Sequence, residues 1–126
     1  MKRLMFLSLA ALSSLIGCRQ AKGAVTELPC KTFTEVIATP GVQLIDVRSW
    51  SEFSEGHIPG AQNIDYQKPD FASRCEKLDK NHPVAIYCRS GHRSKGAAKT
   101  LSDKGFKVYM LTGGLNDWSG KVESDS

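Results

Sequence analysis

Short apolar runs separated by stretches of mixed polarity set the rhythm of this chain. Val42-Gln43-Leu44-Ile45-Asp46-Val47 reads as a strand, entered from the turn signal Pro40-Gly41. Val84-Ala85-Ile86-Tyr87 reads as a second, after Asn81-His82-Pro83, and Lys107-Val108-Tyr109-Met110-Leu111 as a third. Residues 61–65 predict a shorter strand and residues 24–27 an edge strand. Between these runs, residues 32–38, 49–54, 70–78 and 94–104 carry the polar and apolar mixture of half-exposed helices. Gly105 is a natural stop for the last of them. Strands alternating with helices predict an α/β fold, a parallel sheet with helices on both faces. Such sheets bind ligands beyond the carboxyl ends of their strands, and Cys88 falls one residue past a central-looking strand.

The first residues follow a different pattern. Met1-Lys2-Arg3 is positive, residues 4–16 are apolar apart from three serines, and Leu15-Ile16-Gly17-Cys18 follows. A positive start, a short apolar run and a small residue before a cut describe a bacterial export signal. The run is too short for a membrane span, which needs about 20 residues. Residues 15–18 resemble a lipobox, which implies cleavage after residue 17 and a lipid on Cys18. Arg19, rather than an aspartate, then implies the outer membrane, on its periplasmic face. The expected organisation is a signal peptide over 1–17, a tether over 18–24, one domain over 25–120 and a tail over 121–126. Loss of Lys2 and Arg3 lowers the net charge from +4 to about +2. Scattered basic residues and so small an excess argue against a nucleic-acid partner.

Cysteine usage bears on the chemistry. With Cys18 lipidated, Cys30, Cys75 and Cys88 remain in a compartment where disulfides persist. A Cys30–Cys75 bridge would leave Cys88 as the single free thiol; otherwise those two are partly buried thiols without a role. Cys88 opens the segment Cys88-Arg89-Ser90-Gly91-His92-Arg93-Ser94, which runs from a strand into a helix starting near Ser94. A thiol becomes a nucleophile when ionised, and helix N-termini and nearby cations favour that ionisation. Backbone N–H groups of such a loop form an anion nest, and Arg89 and Arg93 bring fixed positive charge. Gly91 allows a tight turn, and Ser94 can donate its hydroxyl to an anion or cap the helix. The environment suits a thiolate, a persulfide or a bound oxyanion.

These residues resemble the active-site loop of the rhodanese family of sulfurtransferases. The resemblance extends from about Val25 to Trp118. Leu44-Ile45-Asp46-Val47-Arg48 with Glu52-Phe53 resembles the family's strand ending in Asp-x-Arg. Gly56-His57-Ile58-Pro59-Gly60-Ala61 with Asn63 resembles its first signature, and Gly113-Gly114 with Trp118 its closing segment. The resemblance implies a parallel sheet of about five strands flanked by helices on both faces. It implies transfer of a sulfane sulfur from thiosulfate, a polysulfide or a persulfide to a thiophilic acceptor. Cys88 would be the nucleophile and persulfide carrier, with Arg89, Ser90, Gly91, His92, Arg93 and Ser94 as the anion cradle. The partners implied are a small sulfur-containing substrate and a thiol acceptor, with the membrane reached through the N-terminal lipid. Related phosphatases use the longer Cys-x5-Arg loop; here Cys88 to Arg93 is Cys-x4-Arg. A persulfide carrier or redox-responsive module without efficient turnover is the alternative, and phosphatase or arsenate reductase chemistry ranks below it.

Other residues have plainer expectations. Asp46 and Arg48 support the loop from a neighbouring strand end, with Arg48 paired to Glu52 as one arrangement. His57, before the turn Ile58-Pro59-Gly60, is expected as a hydrogen-bonded structural histidine, Trp50 and Trp118 as packing residues, and His82 as exposed turn. No Cys-x2-Cys or His-x3-His spacing and no nucleotide-type glycine loop is present, so neither metal nor cofactor is implied.

Overall fold

The computed structural model describes residues 21–125. The expected signal segment 1–17, the lipidated Cys18 and Arg19 lie outside the described residues. Five strands form one parallel sheet: β1 (Val25–Leu28), β2 (Gln43–Asp46), β3 (Gln62–Asn63), β4 (Val84–Tyr87) and β5 (Val108–Leu111), in the order β1-β5-β4-β2-β3. The helices are α1 (Cys30–Ile37), α2 (Trp50–Glu55), α3 (Phe71–Cys75) and α4 (His92–Asp103), and a 3-10 turn follows at Gly114–Asp117.

β4 is the centre of the sheet because its sequence can be nowhere else. All four of its residues are buried, as a strand covered on both faces requires. Alternation sends Val84 and Ile86 to one face, where they meet Phe71, Cys75, Ala97, Ala98 and Leu101 of α3 and α4. Ala85 and Tyr87 face the other way and meet Phe33 of α1 and Ile58. Phe33 is the fully buried residue of α1, with Cys30 and Ile37 packed beside it, and its burial contributes about 2–3 kcal/mol. Among the described residues no helix is long and apolar enough to cross a membrane.

The two core layers decide against the possible Cys30–Cys75 bridge. Cys75 packs in the α3–α4 layer and Cys30 against the α1 layer, so the sheet stands between them. Both are free thiols, and no Cys30–Cys75 bridge forms. A disulfide holds its two Cα atoms within about 7 Å, which residues on opposite faces of a sheet do not meet.

Residues flanking the expected domain make hydrogen bonds to it. Gly23, placed in the tether, donates its N–H to Ser102 O at 2.9 Å and receives the Ser102 hydroxyl at 2.6 Å on its carbonyl. The tail is docked as well. His57 and Glu123 exchange two backbone hydrogen bonds of 2.9 Å, and Asp125 N–H reaches Ser54 O at 2.8 Å. The folded unit therefore includes residues on both sides of 25–120.

Candidate active site

Three elements meet at the carboxyl edge of the sheet to hold Cys88. β4 ends at Tyr87 and delivers Cys88 to the start of the loop. Gly91 then turns the chain with φ +98, a left-handed conformation that a side chain resists, and α4 begins at once. The helix therefore starts at His92, two residues before the expected Ser94. The first N–H groups of a helix have no intrahelical partners, and here they point at sulfur. Cys88 Sγ accepts from Gly91 N–H at 3.1 Å and from Ser94 N–H at 3.4 Å.

The third element closes the cup from behind. The 3-10 turn after β5 donates Leu115 N–H to the Cys88 carbonyl at 2.8 Å and Asn116 N–H to the Arg89 carbonyl at 2.9 Å. With those carbonyls tied backward, the following amides are turned inward. Only glycine fits at 114, because a Cβ there would lie 2.5 Å from the Cys88 carbonyl oxygen.

Cys88 is buried at the floor of the cup. Burial pushes its thiol up, but the Ser94 hydroxyl and the N–H groups of Ser94, Gly91 and Ser90 outweigh burial and hold it below the ordinary value. Ser94 Oγ closes no hydrogen bond of full geometry, with the sulfur or any other described group, although it is fully buried. It acts on Cys88 as a neighbouring dipole and keeps its own donor available.

Neither loop arginine makes a direct contact with the sulfur among the described groups, and Arg93 acts on it through its charge alone. Both reach away to Glu52. Arg93 grips the carboxylate with two bonds, Nη1 to Oε1 at 2.8 Å and Nη2 to Oε2 at 3.0 Å. Arg89 adds Nε to Oε2 at 3.0 Å and Nη2 to Oε2 at 2.9 Å. Glu52 is set in place by its own helix. In the capping box of α2, Ser49 Oγ accepts the Glu52 N–H at 3.2 Å while Oε1 receives the Ser49 N–H at 3.3 Å. Arg93 first, and then Ser49 and Arg89, hold the Glu52 carboxyl well below the usual range, against the opposing effect of burial. The Glu52 bonds first, and then the charges of Cys88 and of the buried Asp65, raise the Arg93 guanidinium against the opposing effect of burial. The groups in contact with the sulfur are thus backbone amides, with both arginines tied to the Glu52 carboxylate.

The remaining residues fall where their chemistry places them. Ser90 and His92 are exposed on the rim, and His92 and Lys95 line shallow grooves on both sides of the loop. Asp46 and Arg48 form a buried pair: Nε contacts both carboxylate oxygens at 3.0 and 3.1 Å, and Nη2 meets Oδ2 at 2.7 Å. Arg48 Nη2 also donates to Gly56 O at 2.6 Å, so its partners are Asp46 and Gly56 rather than Glu52. His57 Nδ1 lies 2.7 Å from Phe53 O, and its ring stacks on Phe53. It is structural, as expected. Trp118 packs edge-on against Phe33, whereas Trp50 is 60% exposed with its ring tilted against Phe53.

Sequence reasoning passed over Glu52 as the hub of the site. Its signal was the Ser49-x-x-Glu52 capping spacing, which announces a carboxylate fixed at a helix start.

Comparison with known proteins agrees with this geometry. A family model described as the rhodanese-like domain matches residues 30–121. The thiosulfate sulfurtransferase GlpE of Stutzerimonas stutzeri is 37% identical over 87 residues, covering 68% of this chain and 77% of that protein. The putative sulfur carrier protein YrkF of Bacillus subtilis is 32% identical over 102 residues. That match covers 79% of this chain and 54% of the relative, so the chain spans about half its length. The crystal structure of a rhodanese-related protein from Thermoplasma volcanium superposes with a TM-score of 0.70 at 24% identity, covering 78% of this chain and 97% of that one. That last likeness is one of fold.

Proposed function

This chain belongs to the rhodanese-like domain family, and from that membership we propose that it is a sulfurtransferase working through a Cys88 persulfide. The observation that carries the proposal is the sulfur itself, held at the N-terminus of α4 with two backbone amides directed at it. A thiolate so held attacks the outer sulfur of a donor. The new S–S bond forms as the donor's own bond to that sulfur breaks, and the electron pair leaves on sulfite or on a thiolate. A thiophilic acceptor then removes the outer sulfur and restores the Cys88 thiolate. This is covalent catalysis with a ping-pong order.

The same amides that favour the thiolate are placed to receive the terminal sulfur of the persulfide, and the unpartnered Ser94 hydroxyl adds a donor there. Names among the relatives, thiosulfate sulfurtransferase and putative sulfur carrier, support transfer of sulfur without fixing the donor or acceptor. The export signal and lipidated Cys18 belong to the same proposal and would place the reaction outside the cytoplasm, at a membrane surface. The test is thiocyanate production from thiosulfate or a persulfide with cyanide as acceptor. Activity that vanishes in Cys88→Ser supports the reading, and activity retained in that variant removes it.

A further inference from the structure

The start of the domain is tied to the far end of α4. Gly23 donates its N–H to Ser102 O at 2.9 Å and accepts the Ser102 hydroxyl on its carbonyl at 2.6 Å. The approach is so close that a Cβ at 23 would lie 1.7 Å from Phe106 O. Beside this junction, Lys22, Val25, Lys95, Ala98, Lys99 and Met110 border one shallow groove of about 320 Å3 between the edge strand β1 and α4. Val25 is 43% exposed there, and Lys95 and Lys99 stand four residues apart on one stripe of α4. Lys22 and Lys99 share the carboxylate of Asp103, at 3.5 and 3.1 Å, and Glu27 is the other acid of the groove. Three ammonium groups thus stand against two carboxylates, and Arg19 upstream adds a further positive charge.

We infer that this β1–α4 face lies against an anionic phospholipid surface. The inference rests on the lipid at Cys18 proposed above and adds an orientation to it. Five residues lead from Cys18 to Gly23, a reach of at most about 18 Å. α4 starts at the Cys88 loop and ends beside Gly23, so the tether joins the domain at the amino edge of the sheet, opposite the cup. A tether alone would let the domain stand on that end with the cup directed outward. The lysines favour a different pose. Lys22 adjoins the tether, Lys99 lies one turn before Ser102, and Lys95 borders a groove with Ser90, Gly91 and His92 of the loop. Together they run the length of α4. With the domain on this side, all three ammonium groups reach lipid phosphates on their flexible stems and Val25 meets the interface. The Cys88 loop is then held at headgroup level.

The test is acylation of lysines in the chain as purified from bacterial membranes, read by peptide mapping. The protein is reconstituted on phosphatidylcholine vesicles with and without phosphatidylglycerol at about one part in three. Lys22, Lys95 and Lys99 should lose reactivity by about fivefold on the anionic vesicles, the factor that matches one lysine's usual attraction to such a surface. Lys68 and Lys77, which follow the opposite edge strand β3, should keep theirs. Substituting Lys95→Gln together with Lys99→Gln, both at exposed positions, should return Lys22 to its reactivity on phosphatidylcholine. Protection of Lys22 that persists in that variant assigns it to the tether alone and overturns the inference. Uniform labelling on both vesicles, with lipid present on the Cys18 peptide, overturns the inference and leaves the anchor intact. A Cys18 peptide without lipid removes the anchor itself, and the docked face with it. Sulfur loading of Cys88, measured separately, stands or falls on its own.

Discussion

The N–H of Leu115 donates to the carbonyl of Cys88 at 2.8 Å, across 26 residues of intervening chain. The nucleophile is thus oriented by the segment after β5 as much as by its own loop. Gly114, with φ +61 and a Cβ position only 2.5 Å from that carbonyl oxygen, is the contact that a methyl group would break. Gly114→Ala should cost about 2 kcal/mol of stability, from left-handed strain and the forced separation. It should also raise the Cys88 thiol toward its ordinary value. Urea unfolding and the pH profile of alkylation at Cys88 check both effects.

The three thiols of the described residues should separate by reactivity. Cys88 is held low by its hydrogen bonds, and Cys30 is lowered chiefly by the Ser119 hydroxyl at 3.5 Å. Burial pushes the Cys75 thiol up to about 11. Below pH 9, iodoacetamide should label Cys88 and Cys30 and leave Cys75 unmodified, as peptide mapping would report. The sign for stability follows. Because the folded value of Cys88 lies below its ordinary 9.0, its contribution is complete above that pH and is lost as pH falls through the folded value.

Much of this was legible in the sequence because it is local. The strand–helix alternation, the fully apolar β4 and the loop from Cys88 to Ser94 are each written in consecutive residues. Glu52 was not legible as a hub because its partners lie 37 and 41 residues away. Whether Cys30 pairs with Cys75 stays open in the sequence for a related reason: which face of a sheet a helix covers is set by the crossover, not by the residues on it. The docking of Glu123 on His57 is a single antiparallel bridge, too short to leave a periodic pattern.

That docking can be tested by removal. Deleting residues 122–126 eliminates two backbone hydrogen bonds to His57 and one to Ser54, and it takes away Glu123 and Asp125, whose carboxylates lie 3.6 and 3.9 Å from His57 Nε2. The expected loss is about 2 kcal/mol, at the usual net worth of about 1 kcal/mol or less per bond. Thermal unfolding of the truncated and full chains measures it. An unchanged midpoint would show that the tail contributes nothing.

Asp46 and Arg48 should behave as scaffold. Asp46→Asn leaves the Arg48 guanidinium buried without its counter-charge and should destabilise the fold by about 3–5 kcal/mol. Sulfur loading by the fraction that remains folded should fall much less than in Cys88→Ser. A stability cost near zero, measured in urea, would contradict the buried pair's structural role.

The central claim is that Cys88, and no other thiol, carries the transferred sulfur. Intact-mass and peptide analysis of the protein after brief exposure to a sulfane-sulfur donor addresses it directly. The account predicts one added sulfur atom on Cys88 in the wild-type chain, removed by cyanide, and none in Cys88→Ser. Sulfur found on Cys30 instead, or retained by the Cys88→Ser protein, would contradict it.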